Sequence, residues 1–163
     1  MVDELDDLDR KILHILQLDA RRQSDTEIAR QADVSSTTVA NRLDSLEDQG
    51  IIRGYHPEID YEAAGYPLVV LFVCTAPIAE RGRHAERILG IRGVVNVKQL
   101  LSGEQNLHVQ AVAETTGRIE EISETLDNEG IRIVRSNILS RESIQPWNHF
   151  ARFEGSDGTG SGD

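Results

Sequence analysis

The residues best suited to chemistry with a partner lie close together in one stretch, SSTTVANRLDSLEDQ, from Ser35 to Gln49. Thr37, Thr38, Asn41 and Arg42 are short hydrogen-bonding groups and one guanidinium, the types that read base edges in a DNA major groove. Ser35 and Ser36 belong with them, because either hydroxyl can cap a helix by accepting from backbone N–H groups that have no partner in the first turn. Arg21 upstream and Arg53 downstream are placed where a phosphate could be met. Arg22 reads equally well as a solvated surface arginine.

A helix must carry these groups. Val39, Leu43 and Leu46 recur at i, i+4 and i+7, which gives one apolar stripe facing a small core and leaves the polar set outside. Gly50 ends the helix, with Ile51 and Ile52 packing beneath it. Upstream, Asp25 to Ala32 reads as a short helix, with Ser24 at the cap and Glu27 three residues on, the capping-box spacing. Only Asp33-Val34 separates the two. Two helices joined by so tight a turn fit a helix-turn-helix, and they fit an ordinary αα-hairpin as well. An earlier helix, Asp9 to Leu18, has its stripe in Leu8, Ile12, Ile15 and Leu16, and the acidic residues 1 to 7 are expected to fray.

Charge opposes a DNA partner. The 163-residue chain has 28 acidic against 17 basic residues, a formal −11, and only Lys11 and Lys98 are lysines. Residues 1 to 60 hold fourteen acids and seven bases, whereas a nucleic-acid binder normally shows a basic footprint. Molar salt removes the conflict, since counterion release weakens as salt rises and the Debye length falls to about 3 Å. An acid-rich, lysine-poor chain is therefore expected to come from a salt-accumulating halophile. No apolar run reaches the roughly 18 residues of a membrane span, and the start Met-Val-Asp-Glu lacks the basic region of a signal peptide. A cytoplasmic protein is expected.

Ile51 to Ile59 reads as a strand, a wing leading away from the helices, with Pro57 suggesting an edge. The expected domains are 1–60, a 61–66 linker, 67–145 and a tail from 146. In the second domain Pro67 to Ala76 is a nearly continuous apolar run, the mark of a strand buried on both faces. A helix follows over Arg81 to Leu89, with Ala85, Ile88 and Leu89 inward. Then come strands Val94–Leu101 and Asn106–Ala113 around the turn Ser102 to Gln105, a helix capped by Thr115 or Thr116, and a last strand Ile131–Ser140. The order βαββαβ is the ferredoxin-like arrangement, with both helices on one sheet face. The first strand then needs cover for its other face, and a second copy would supply it, hence a homodimer. The aromatic stretch Gln145 to Phe153 suggests a tail packed on a neighbour, and Gly155 to Asp163 suggests disorder. Cys74 is alone, and His14, His56, His84, His108 and His149 are scattered without metal spacing. No Gly-rich phosphate loop or nucleophile elbow is present. No cofactor and no metal are expected.

The whole pattern resembles the leucine-responsive regulatory protein/AsnC family of transcription regulators. The resemblance is carried by Leu8-Asp9-Arg10-Lys11-Ile12-Leu13, Leu18-Asp19-Ala20-Arg21, Glu27-Ile28-Ala29, Val34-Ser35, Thr38-Val39, Asn41-Arg42-Leu43, Leu46-Glu47 and Gly50-Ile51-Ile52-Arg53-Gly54-Tyr55. Gly93-Val94, Leu101-Ser102-Gly103-Glu104 and Asn106-Leu107 add to it in the second domain. It implies an α+β protein, a winged helix-turn-helix joined to a ferredoxin-like βαββαβ domain, that binds double-stranded DNA. It further implies dimers that often stack into octamers, and a small effector, commonly an amino acid, held between dimers. The implied effector contacts are Leu101, Ser102, Gly103, Glu104, Gln105 and Asn106, with Ser136 on the last strand. The family often has Asp where this chain has Asn106, so an amino group would fall to Glu104, or the ligand differs.

Two rivals stay open. Siroheme decarboxylases resemble the same architecture but carry a His-Asn-Tyr run entering the second strand of the tail domain, where this chain has Val95-Asn96-Val97. A ligand or protein-interaction module with a vestigial head would also account for the acidic charge.

Overall fold

Acidic residues fix the first turn of the chain. The structure is a computed structural model and describes residues 4–145. Helix α1 spans Asp7–Asp19, and Asp6 caps it: its carboxylate accepts from the Asp9 N–H at 2.9 Å, while the Asp9 carboxylate accepts from the Asp6 N–H at 3.1 Å. Carboxylates at a helix start satisfy free N–H groups and complement the dipole, so the acidic stretch at Asp6 and Asp7 is ordered rather than frayed. A 3₁₀ turn, Ala20–Arg22, leads to α2, Asp25–Ala32. Ser24 caps α2 by accepting from the Glu27 N–H at 3.2 Å, but the Glu27 carboxylate binds Arg30 and Gln31, so only half of the expected capping box forms. Asp33 takes the left-handed conformation, φ 59°, that turns the chain into α3, Ser36–Asp48. Ile12, Ile15, Ile28, Val39 and Leu46 form the core of this unit.

The expected strand over Ile51–Ile59 does not form. Ile51 and Ile52 instead turn back onto the helical core, and both their N–H groups donate to the Leu46 carbonyl. Gly54 and Pro57 interrupt the rest of the segment, and Pro57 lacks the N–H a ladder needs. β-branched residues favour a strand only where a neighbour exists to pair with, and none is present among the described residues.

The described chain divides into two compact units, the first made of residues 4–57 with 143–145 and the second of Glu58–Glu142. The turn Tyr61–Gly65 groups with the second. That unit contains β1 (Leu68–Thr75), α4 (Arg81–Leu89), β2 (Val94–Gln99), β3 (Leu107–Ala113), α5 (Thr116–Asn128) and β4 (Arg132–Ile138). The antiparallel sheet has the order β2-β3-β1-β4, so the split βαβ arrangement is present. Its core lies between one sheet face and the two helices. Val70, Phe72 and Cys74 of β1 and Leu107, Val109 and Ala111 of β3 meet Ala85 and Ile88 of α4 and Ile122 and Leu126 of α5. Full burial of a side chain such as Phe72 or Leu126 contributes about 1.5–3 kcal/mol. Leu89 is exposed, and His84 takes the inward place expected for it. Gly93, φ +98°, has a backbone that favours glycine, and a Cβ there would crowd the Val112 carbonyl oxygen and Ile122 at 3.0 Å.

The other sheet face is graded. Val69 pairs with Val112 at one end; Leu71, Gln110, Asn96 and Asn137 form a middle row; Val73, His108, Lys98 and Arg135 form the next. β1 is apolar on both faces as its sequence requires, but its neighbours on the open face are mostly polar. The aromatic stretch from Pro146 and the Gly/Ser-rich end lie outside the described residues.

Candidate nucleic-acid interface and effector turn

Ser35, not Ser36, caps α3. Its hydroxyl accepts from the Thr38 N–H at 3.1 Å and lies 2.7 Å from the Thr38 hydroxyl. Both groups are therefore engaged in starting the helix and are less free for a partner. Ser36, Thr37 and Asn41 are exposed, and their side chains make no hydrogen bond among the described residues. At 100° per residue Thr37, Asn41, Asp44 and Asp48 share one face, and all four are exposed. The first two turns thus offer neutral donors and acceptors, and the last two offer carboxylates.

Arg42 is reassigned. It lies roughly 140° around the helix from Thr37, against the start of α1. Its guanidinium donates to Asp6 at 2.8 Å and to the two Asp9 oxygens at 3.2 and 3.4 Å. Asp9 is only 8% exposed. The pair ties the reading helix to the capping box of α1, so Arg42 is a positioning residue of the head, not one of its free cations. The Asp6 carboxyl is held below its ordinary range, first by the Asp9 N–H and, after an opposing push from desolvation, by the Arg42 guanidinium.

Arg21 and Arg53 are exposed and unpaired among the described residues, whereas Arg22 meets Asp19 at 3.4 Å. A further link was not foreseen from sequence: the Tyr55 hydroxyl donates to Glu47 at 3.1 Å, fastening the segment after α3 to the end of that helix. Burial, and then Glu47, raise the Tyr55 hydroxyl above its ordinary value.

The turn between β2 and β3 places Leu101, Ser102, Gly103, Glu104 and Gln105 in the open. Gly103 has φ +97°, a conformation that favours glycine. Asn106 is not part of this exposed set. It is 4% exposed, and its carboxamide accepts from the Ala76 N–H at 3.0 Å and donates to the Ala76 carbonyl at 2.9 Å. It completes the pairing of β1 with β3 beyond the end of the ladder, so its carboxamide is engaged within the sheet. Ser136 is set apart from the exposed turn. It pairs with Phe72, on the helix side of the sheet. The turn's own partners are on the opposite side: Glu104 receives Arg132 at 2.8 Å and Gln105 receives Arg135 at 3.4 Å. Burial pushes the Cys74 thiol up to about 11, where it is inert. Among the described residues no group of three metal-binding side chains occurs, and no helix is long and apolar enough to cross a membrane.

A family model described as winged helix-turn-helix DNA-binding matches residues 5–53. An HTH-type transcriptional regulator of Pyrococcus furiosus is 31% identical over 153 residues, 93% of this chain and 93% of its own. The leucine-responsive regulatory protein of Rhizobium meliloti is 30% identical over 145 residues, covering 85% of this chain and 91% of its own. This chain belongs to the leucine-responsive regulatory protein/AsnC family. A transcriptional regulator of Neisseria meningitidis, solved in complex with L-Met, shares the fold, with a TM-score of 0.71 at 22% identity over 88% of this chain and 94% of that one.

As a regulator of this family, the chain carries a DNA-binding helix-turn-helix head. The chemistry available there is hydrogen bonding from the start of α3, with Arg21 and Arg53 as exposed cations. Arg42 was expected to read bases, because residue type and helix position alone cannot show a partner 33 residues away in the chain. The one local signal was the pair of acids at Asp6 and Asp9, spaced as a cap.

Proposed function

We propose that this protein is a sequence-specific regulator that reads DNA through Ser36, Thr37 and Asn41, with Arg21 and Arg53 on flanking phosphates. Two heads of a homodimer address successive major-groove segments of a pseudo-palindrome. The carrying observation is the division of labour along α3: Ser35, Thr38 and Arg42 are engaged within the head, and the exposed, unpaired polar groups of the first two turns are left to face a partner.

The regulator responds to a small effector, of the amino-acid class, at the turn Leu101 to Gln105. The exposed backbone around Gly103 supports this, as does the L-Met found with a protein of the same fold. Coupling arises because the effector binds one assembly state better than another. The dimer forms through the apolar end of the open sheet face, where Val69 and Leu71 remain half-exposed, and dimers stack further into octamers. The acid-rich surface fits a cytoplasm of molar salt, and the protein acts there as a regulator rather than an enzyme.

The test is a footprint on the DNA upstream of the protein's own coding region, in about molar KCl, where counterion release contributes little, with and without a mixture of amino acids. Protection that changes when amino acids are added is the expected result. Protection unchanged by amino acids, with unchanged mass by light scattering, overturns the effector reading. No protection on that DNA or on genomic fragments overturns the DNA reading.

A further inference from the structure

Arg53 stands in a segment without regular structure, yet the chain is fastened on both sides of it. On one side the Ile51 and Ile52 N–H groups donate to the Leu46 carbonyl at 2.9 and 3.1 Å. On the other the Tyr55 hydroxyl donates to the Glu47 carboxylate at 3.1 Å. Leu46 and Glu47 are consecutive residues in the last turn of α3, so both anchors belong to the helix that carries Thr37 and Asn41. Only Arg53 and Gly54 span the gap between them. Among the described residues no other hydrogen bond ties residues 53–57 to the helices.

The second anchor matters because of Gly54. Glycine has the widest backbone freedom, so a chain pinned only at Ile52 would swing at the residue next to Arg53. The Tyr55 side is 50% exposed, which limits what burial of its ring contributes and leaves the hydroxyl as the tie. Burial first, then Glu47, then Asp25 at the start of α2 raise that hydroxyl above its ordinary value, so it keeps its proton and remains a donor through neutral pH. The same bond bears on charge. Arg22, Arg30 and Arg42 are each paired with an acid of the head. Glu47 is engaged by a neutral hydroxyl instead, and Arg53 makes no ion pair among the described residues.

We propose that Tyr55 is a positioning residue for DNA binding: its bond to Glu47 holds Arg53 in place beside α3, where the guanidinium meets a backbone phosphate. This deepens the DNA reading and rests on its assignment of Arg53 to a phosphate. A cation already in place binds without the cost of ordering its loop. Tyr55 itself touches no DNA; it acts through Arg53. Without the bond, the segment is free to swing and the Glu47 carboxylate is free to draw the guanidinium away from DNA.

The test is a double-mutant cycle in the full-length protein, read as affinity for a mixed-sequence DNA duplex across a KCl series, each variant assayed below its melting range. A mixed sequence suffices because a phosphate contact carries no sequence information. Arg53→Gln weakens binding and reduces the slope against log salt by about 1.8 for a dimer. Tyr55→Phe keeps the ring and every charge but removes the donor, and it weakens binding about two- to tenfold per head, the range of one net hydrogen bond. In the Arg53→Gln background the same substitution changes nothing. Glu47→Gln and Glu47→Ala lose the same charge, but only the first keeps an acceptor, so Glu47→Ala binds about two- to tenfold more weakly per head than Glu47→Gln. Equal loss from Tyr55→Phe with and without Arg53 is a structural effect and overturns the proposal. Tyr55→Phe binding like the parent, while Arg53→Gln binds weakly, overturns the positioning role and leaves Arg53 on its phosphate. Arg53→Gln binding like the parent overturns the phosphate reading itself, and the positioning role with it.

Discussion

Replacing Arg42 by alanine separates a residue that positions the head from one that reads DNA. The bond to Asp6 is half-exposed at both ends, with side-chain exposures of 39% and 47%, and such a pair contributes about 0.2–1 kcal/mol. Asp9 is different, because it is nearly buried and loses a charged partner. A part-buried acceptor deprived of its donor costs about 1–3 kcal/mol, and the exposure of Arg42 places this loss toward the low end. A total of about 1–2 kcal/mol is expected. In a unit of this size 1 kcal/mol moves the melting temperature by about 4–8 °C, so Arg42→Ala lowers the Tm of the head by roughly 5–15 °C. A double-mutant cycle with Asp9→Ala removes the separate cost of the lost cap and returns a coupling of about 1 kcal/mol. Below its melting range the variant binds specific and non-specific DNA with the same ratio as the parent. The reasoning is refuted if Arg42→Ala melts like the parent while specific binding alone falls tenfold or more. Arg42 would then leave its acids and contact a base.

Asn41→Ala gives the opposite pattern, a loss of about 1–3 kcal/mol in specific binding with the Tm unchanged, checked by competition against sites altered one base at a time. Asp6→Asn keeps a capping side chain and removes the charge. Because the folded Asp6 carboxyl lies below its ordinary value, its contribution is present above about pH 4 and lost as pH falls through the folded value; the acid limb of the melting curve should be shallower in Asp6→Asn than in the parent. Asn106→Ala strands the buried N–H and carbonyl of Ala76, costing about 2–4 kcal/mol in urea unfolding; a variant as stable as the parent that has lost effector binding would return Asn106 to the ligand site.

Local periodicity made most of this fold legible. The stripe Val39, Leu43, Leu46 and the run from Leu68 to Thr75 each need only one face or two faces buried, and that constraint is written in neighbouring residues. α2 and its Ser24 cap were read from the sequence for the same reason. What local residues do not show depends on distant partners. Arg42 and Asp9 are 33 positions apart, and Asn106 and Ala76 are 30 apart, and nothing local marks either pair. Ile51-Ile52 looked like a strand because β-branched residues suit one, yet the Leu46 carbonyl offered their N–H groups a closer acceptor. The open sheet face was inferred from β1 alone. Its charge came from β2, β3 and β4, whose register no single strand reveals.

Charge on the head then limits how it can hold DNA. Of seven bases in residues 1–60, Arg22, Arg30 and Arg42 are paired with acids. Arg21 and Arg53 flank the reading helix and are free to meet phosphates. With one phosphate each, the proposed dimer would neutralise about four, giving a slope of log affinity against log salt of about −3.6. Raising salt fourfold should then weaken binding by about 150-fold, far less than a protein with a broad basic footprint would lose. Arg21→Gln, lost from both heads, reduces the slope by about 1.8 and leaves site preference unchanged. A slope steeper than about −7 would show that other cations, Arg10 and Lys11 or a released Arg42, reach the backbone, and the acidic head would then bind DNA by an ordinary electrostatic footprint rather than through the polar groups of α3.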